Sequence, residues 1–427
     1  MRVLMFGWEF PPHITGGLGT ACYGMTKGLA KQGTEVIFVV PKAYGDEDER
    51  AVRLVDASNV VIDVDDVENK QYWDRITFME VGSNLIPYVA PEEFTDLVVQ
   101  EELRRKTTRQ TLFSSRFEFS GKYGTNLMEE VYRYALIGSA IAVKHDFDLI
   151  HAHDWLTYSA GVAAKAATGK PLVVHMHATE FDRSGENVNQ QVYDIERYGM
   201  EQADRVITVS NLTRQIVIDR YGIDPQKIVT VHNAVEPVDK GELEGADKVL
   251  KEKVVTFLGR ITFQKGPEYF VEAAKKVLEV DSNVRFVMAG TGDMMNKLIR
   301  RVAELRMSSR FHFTGFLKGA DVDRMFAMSD VFVMPSVSEP FGIVPLEAMR
   351  SSVPVVISKQ SGVSEILKHA LKVDFWDVHG LADAIYGLLH YNALSETFKQ
   401  YGKEEVESLK WDDAAQKVKE VYEGVIK

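Results

Sequence analysis

The segment SEPFGIVPLEAM, Ser338 to Met349, sets two carboxylates, Glu339 and Glu347, on either side of a turn and the start of a helix. Pro340 and Gly342 break the preceding strand pattern DVFVMPS, and Ile343 to Met349 carries the apolar spacing of a helix. A helix start of this kind leaves backbone amides free to receive an anion. A sugar nucleotide offers matching groups. Its hexose hydroxyls suit Glu339, and its ribose hydroxyls suit Glu347, read as almost two helical turns further on. Its diphosphate suits the amides around Gly342, Ile343 and Val344. The same residues also fit a capped helix with a solvated Glu, so the rest of the chain must decide.

Further groups with chemistry stand at the ends of apolar runs. Gly16, Gly17 and Leu18, in GGLG, follow the first such run and open a helix, where glycines let a backbone approach a phosphate closely. This is not the G-x-G-x-x-G dinucleotide fingerprint. In GRITFQKG, Gly259 precedes Arg260 and Lys265, two cations with no acid between them, which suit a diphosphate leaving group or are ordinary surface charges. HAHDW holds His151 and His153, and VVHMHATE holds His175 and His177; one member of each pair is expected on each side of its strand. A strand histidine is more often a hydrogen-bonded core residue than a catalytic one. A zinc site here has little support, because a spacing of two without a third ligand motif is not characteristic. No DxD-type metal motif accompanies the cations, so no obligatory metal or other cofactor is expected.

The E-(seven residues)-E segment resembles the signature of the retaining nucleotide-sugar glycosyltransferases of family four and their glycogen and starch synthase relatives. EFPPHITGGLG, HAHDW, VVHMHATE, ADRVITVS, VHNAVE, FLGRITFQKG, FVMAGTGD, FTGF and SDVFVMPS fall in that family's order. The likeness covers roughly residues 1 to 40 and 130 to 427. It implies that His177, Arg260, Lys265 and Glu339 act at the reaction centre, with Gly290, Gly342, Ile343, Val344 and Glu347 among the donor-binding residues. By the same resemblance Glu9, His13, His153, Asp154 and Trp155 shape the acceptor side, and Glu180 and Arg183 are candidates for the pocket rim. Asn233, Gly362 and Glu365 complete the set. Ala234 and Ser361 depart from the family's usual NGVD and GGxxE, which weakens inference about the donor base.

The chain of 427 residues is long enough for two domains of about 200 residues each. Its apolar share of 45% and charged share of 26% are those of a globular enzyme. A formal charge of −12 argues against nucleic acid or an anionic membrane as the main partner. Arg104, Arg105, Lys106, Arg109 and Arg116 form the one dense basic run, read as a solvated helix face. A single cysteine, Cys22, precludes an internal disulfide, and no apolar run reaches the length of a membrane span. MRVLMFGWEF is too short an apolar run for a signal peptide, and a cytoplasmic location is expected.

These residues need strands that end at a cleft. RVLMFG, EVIFVVP, DLIHAH, PLVVHMH and RVITVS in the first half, and KVVTFLGR, VRFVMAG, RFHFTGF, DVFVMPS and VPVVIS in the second, read as strands alternating with amphipathic helices. The expected fold is therefore α/β, two doubly wound Rossmann-like domains facing across a cleft, the GT-B arrangement of the resembled family. The first domain is assigned to residues 1–235, with an insertion at about 45–128 in which VVIDVDDV and ITFMEVG read as edge strands. The second covers 236–410, and the charged stretch 234–253 is read as the domain boundary. The helix 411–427 is similar to one that crosses back to the first domain.

The resemblance implies transfer of glucose, with retention, from ADP- or UDP-glucose to the non-reducing end of an α-glucan or oligosaccharide. Attack on the face that the leaving group departs from, assisted by the departing phosphate, belongs to the same implication. A sugar phosphate, lipid-linked or capsular acceptor is the alternative within the enzyme class. A non-catalytic glycan-binding relative is the alternative outside it, opposed by intact Arg260, Lys265, Glu339 and Glu347.

Overall fold

The computed structural model describes residues 1–10, 17–42, 53–57, 127–235 and 251–426. Within these, β1 Arg2–Phe6, β2 Glu35–Val40, β3 Arg53–Asp56, β4 Leu149–His153, β5 Leu172–Met176, β6 Arg205–Thr208 and β7 Ile228–Thr230 form one sheet. Its order is β3-β2-β1-β4-β5-β6-β7, and every pairing is parallel. Its helices are α1 Gly17–Lys31, α2 Leu127–Ala142, α3 Trp155–Thr168, α4 Glu180–Ser184, α5 Gln190–Gln202 and α6 Asn211–Tyr221. Strands such as β1 and β5 are apolar at nearly every position because helices cover both faces of the sheet.

The second sheet comprises β8 Lys253–Leu258, β9 Val284–Ala289, β10 Phe311–Gly315, β11 Val331–Met334, β12 Val355–Ser358 and β13 Leu371–Val373, in the order β10-β9-β8-β11-β12-β13, again all parallel. Around it lie α7 Pro267–Val280, α8 Met295–Glu304, α9 Ala320–Met328, α10 Val344–Arg350, α11 Val378–His390 and α12 Asn392–Glu407. The chain thus has the two expected Rossmann-like domains. In each sheet the strand order reverses beside the first strand, between β1 and β4 and between β8 and β11. Ligands of open α/β sheets bind outside the carboxyl ends at such a switch point. Glu9 follows β1 and His153 ends β4; Arg260 follows β8 and Glu339 follows β11.

The last helix, α13 Trp411–Ile426, leaves the second domain and packs on α1 of the first. Gly24 and Gly28 make that approach feasible: a Cβ on Gly24 would lie 2.3 Å from the Trp411 ring, and one on Gly28 would lie 2.7 Å from the Ala415 Cβ. Lys31 pairs with Asp412 at the same junction.

Two parts of the sequence reading change. Arg53–Asp56, assigned to the insertion, is an edge strand of the first sheet, with Phe38 opposite Leu54 and Val39 opposite Val55. β3, β7 and β13 run for only three or four residues each, too short for a strand pattern to be read. VVIDVDDV, ITFMEVG, the basic run at 104–116, residues 236–250 of the boundary stretch, His13 and Gly16 lie outside the described residues.

Candidate active site

The second domain holds the best-defined constellation. Lys265 ends a 3-10 turn, Phe263–Lys265, after β8, and its Nζ donates to Oε2 of Glu339 at 2.6 Å. Ser336 Oγ donates to the same oxygen at 3.1 Å. Among the described residues, Oε1 of Glu339 receives no hydrogen bond. The backbone is equally fixed: the Glu339 amide donates to Gln360 O at 3.0 Å, and the Gly362 amide donates to Glu339 O at 2.9 Å. Val337 N donates to Gln264 O at 2.9 Å, joining the Lys265 turn to the Glu339 loop. A largely buried carboxylate is therefore held in place with one oxygen available.

Arg260 reaches Gln264 Oε1 at 3.2 Å. Gly259 and Gly290 lie back to back: the Gly259 amide donates to Ala289 O, and a Cβ on Gly290, whose φ is +135°, would lie 1.8 Å from Gly259 O. Gly290 is thus required where the β8 and β9 ends meet.

Glu347 departs from its expected placement. Helix α10 starts only at Val344, so most of the separation from Glu339 is loop and Glu347 lies in the helix's first turn. Pro345 has no amide to offer, and α10 has seven residues. Gly342, Ile343 and Val344 form the approach to this turn. The Glu347 carboxylate accepts no hydrogen bond from the described residues. Burial pushes its pKa up to about 7, against the pull of Arg350.

In the first domain four imidazoles lie side by side. Residues two apart on a strand share a face, so the expectation that each pair straddles its strand is corrected. The His151 and His153 ring centroids are 4.2 Å apart and those of His175 and His177 are 4.3 Å apart. His153 Nδ1 and His177 Nε2 share a hydrogen bond of 2.9 Å. His151 Nδ1 meets the Tyr422 hydroxyl at 2.5 Å, joining α13 to the sheet. Burial drives His151 and His177 down to about 3, so both rings are neutral.

Asp154 has φ +62°, an uncommon backbone state for a non-glycine residue. Its Oδ1 accepts from the amides of His177 at 3.2 Å and Ala178 at 3.3 Å, fixing the turn that carries His177. Burial raises its pKa to about 6. Trp155, expected on the acceptor side, is instead packed in the core of the first domain. Glu9 is buried at the β1 end, while Gly17 and Leu18 begin α1.

Glu180 and Arg183 are corrected from rim to interior. Arg183 is only 7% exposed and bonds Glu180 Oε2 at 3.1 Å, Ala178 O at 2.9 Å and Glu196. Glu196 also accepts from Tyr221 and from the Glu180 amide. Sequence reading missed Glu196; its signal was an acid on the apolar face of α5, among Val192, Ile195, Gly199 and Met200. It also missed Asp182, which caps α4 through Thr179 and accepts from Ser338 Oγ of the second domain at 2.5 Å. The Thr179-x-x-Asp182 spacing after a strand was the available sign.

That contact, and the packing of Phe263–Lys265 against α4, face the two carboxyl ends toward each other. Glu365, expected among the site residues, instead bridges the domains. Its carboxylate accepts from the amides of Asn211 at 2.9 Å and Leu212 at 2.7 Å, and meets His232 Nε2 at 2.9 Å. Asn233 is buried beside this junction.

Residues 242–405 match the family described as glycosyl transferases group 1, and residues 119–238 match glycosyltransferase family 4. An alpha-maltose-1-phosphate synthase of Mycolicibacterium smegmatis is 30% identical over 65% of this chain and 79% of its own. The chain belongs to the GT-B glycosyltransferases. An uncharacterized glycosyltransferase of Methanocaldococcus jannaschii is 28% identical over 99% of this chain and 98% of its own. A glycogen synthase of Mycobacterium tuberculosis is 23% identical over 99% and 94%. Among solved structures, the sucrose-phosphate synthase of Thermosynechococcus elongatus superimposes with a TM-score of 0.72 at 18% identity, covering 99% of this chain and 98% of that one. The catalytic domain of starch synthase IV from Arabidopsis thaliana, bound to ADP and acarbose, gives 0.68 at 16% identity, covering 100% and 99%. These structures share the glycosyltransferase's fold. No described helix is long and apolar enough to cross a membrane.

Proposed function

We propose that this glycosyltransferase moves glucose from ADP- or UDP-glucose to the non-reducing end of an α-glucan, with retention of the α configuration. The observation that carries the reading is the Lys265–Glu339 pair at the β8/β11 switch point. It sets a cation for a leaving diphosphate beside a fixed carboxylate oxygen for hexose hydroxyls. Arg260 adds a planar fork of donors, and Glu347 takes the ribose hydroxyls. His177, neutral and aimed by Asp154, faces the sugar from the first domain. The glycogen synthase and alpha-maltose-1-phosphate synthase relatives favour an α-glucosyl reaction.

In the proposed step the bond between the anomeric carbon and the β-phosphate oxygen breaks first. The acceptor oxygen then bonds to that carbon on the same face, and the acceptor proton passes to the departing phosphate. Lys265 and Arg260 offset the charge gained by the leaving group where water is scarce. No carboxylate nucleophile or metal enters this step.

The test is a panel of ADP-, UDP- and GDP-sugars against maltooligosaccharides, reading released nucleotide and the anomeric configuration by NMR. Elongation with a new α linkage from an ADP- or UDP-glucose donor is expected. Transfer only to a sugar phosphate or lipid-linked acceptor, or an inverted product, would replace this reading.

A further inference from the structure

The four stacked imidazoles present an imbalance that sugar transfer does not use. His151, His153 and His175 are each 0% exposed. Yet Nε2 of His151, Nε2 of His153 and both ring nitrogens of His175 have no hydrogen-bond partner among the described residues. Burying a polar nitrogen without a partner is costly, and several such nitrogens lie close together here. One nitrogen from each of the three rings can be chosen so that all lie within 4.8 Å of one another.

We propose that His151, His153 and His175 form a binding site for one divalent transition-metal ion of the zinc class, bound structurally beneath the catalytic histidine. The strands dictate the geometry. His153 stands directly opposite His175 across β4 and β5, and His151 precedes it by one pleat on the same face. Two H-x-H pairs on neighbouring parallel strands thus bring within reach what one pair cannot, a third imidazole nitrogen.

The hydrogen bonds made by the other ring nitrogens favour the ligating tautomers. If His153 Nδ1 carries its proton and donates to His177 Nε2, its Nε2 is a bare lone pair. If His151 Nδ1 donates to the Tyr422 hydroxyl, its Nε2 is likewise bare. The opposite tautomers would bury two N–H groups with no acceptor among the described residues. A ligating histidine is ordinarily oriented by a hydrogen bond from its other nitrogen. Each ring is fully buried, with no water to hydrate a charge, and a metal binds the neutral ring. Three neutral imidazoles suit zinc, cobalt, nickel or copper and not magnesium or calcium. The ion would tie β4 to β5, hold Tyr422 of α13 through His151, and fix the proton between His153 and His177.

Cys22 offers a competing arrangement, because its thiol lies within the same 4.8 Å of His153 and His177 nitrogens. The full chain is therefore dialysed against Zn²⁺ or Co²⁺ and then against metal-free buffer. Retained metal is measured by mass spectrometry, and the ligands are read from the X-ray absorption fine structure of the zinc form. The expected result is about one ion per chain, with nitrogen ligands and no sulfur. Retained metal should fall more than tenfold in His175→Gln and His151→Gln, with folding checked by circular dichroism, and stay unchanged in Cys22→Ser. Absence of retained Zn²⁺ and of cobalt d–d absorption would overturn the proposal. So would a sulfur ligand, or equal retention in folded His175→Gln and His151→Gln. If those variants do not fold, the absorption spectrum of the unmodified chain still decides between imidazole ligands and Cys22.

Discussion

The Lys265 ammonium lies 2.6 Å from the Glu339 carboxylate, although 74 residues separate them in the chain. Each is delivered by a different strand end, β8 and β11, and each is held by the other's loop. The pair is only partly exposed, with side-chain exposures of 20% and 8%, so neither charge is fully hydrated when the other is removed. A ligand that takes Glu339 Oε1 therefore meets a charge-balanced site.

Glu339→Gln should lower turnover by about 100-fold or more, the usual cost of losing one preorganised polar contact at a reaction centre. Lys265→Ala should cost a similar factor, while the acceptor's apparent constant hardly changes. Because the two residues touch, the double variant should be far less impaired than the product of the two losses. Steady-state kinetics at saturating donor, with circular dichroism as a folding control, check this. Multiplicative losses would mean that the two groups act separately.

Glu347 titrates near neutrality, with its pKa raised to about 7 by burial. A carboxylate accepts from two ribose hydroxyls, whereas its protonated form must spend one oxygen as a donor. Affinity for an intact nucleotide-sugar, whose diphosphate does not titrate in this range, should rise as pH increases through about 7. Calorimetric titration from pH 5.5 to 8.5 reads the effect. In Glu347→Gln the affinity should be weaker at high pH and flat with pH. A slope that survives this substitution belongs to another group.

The strand ends were legible because parallel strands covered on both faces write themselves as apolar runs, and Arg260, Lys265 and Glu339 each follow such a run directly. The start of α10 was misplaced because PFGIVP has apolar residues at helical spacing while its backbone is still a loop. Trp155 and Arg183 were misassigned for a different reason. A motif gives residue types without saying which face they turn to, and both turn inward. Glu196 shows in the sequence only as an acid on the apolar face of α5, and Ser338 acts through Asp182, a partner 156 residues away, so no local spacing announces that contact.

Glu196 is fully buried, and burial pushes its pKa up to about 8 despite Arg183 and Tyr221 beside it. Its folded pKa exceeds that of an unfolded Glu, about 4.3. The folded state therefore holds the proton over the window from about pH 4.5 to 8, and the unfolded state does not. Stability from this group falls as pH rises through that window and is lowest above it. Glu196→Gln removes the titration, so the difference in melting temperature between wild type and variant should drift in the variant's favour from pH 5 to 8. A constant difference would place the Glu196 pKa close to its unfolded value, with Arg183 keeping it ionised.

Glu365 joins the domains by accepting two amides at the start of α6 and contacting His232 just before the linker. Hydrogen bonds to a charged group are each worth about 1.5–3 kcal/mol, so the tie is strong enough to bias the relative position of the domains. Ser338 and Asp182 make a further contact between the two carboxyl ends. In Glu365→Ala the domains should separate more readily. Small-angle scattering should then show a larger radius of gyration for the free variant than for the wild type. Saturating nucleoside diphosphate should shrink the variant by more than the wild type, because closure now starts from a more open ensemble. Its apparent nucleotide affinity should fall, since part of the binding free energy goes into closing the domains. Identical scattering curves for wild type and variant, with and without nucleotide, would confine Glu365 to capping α6.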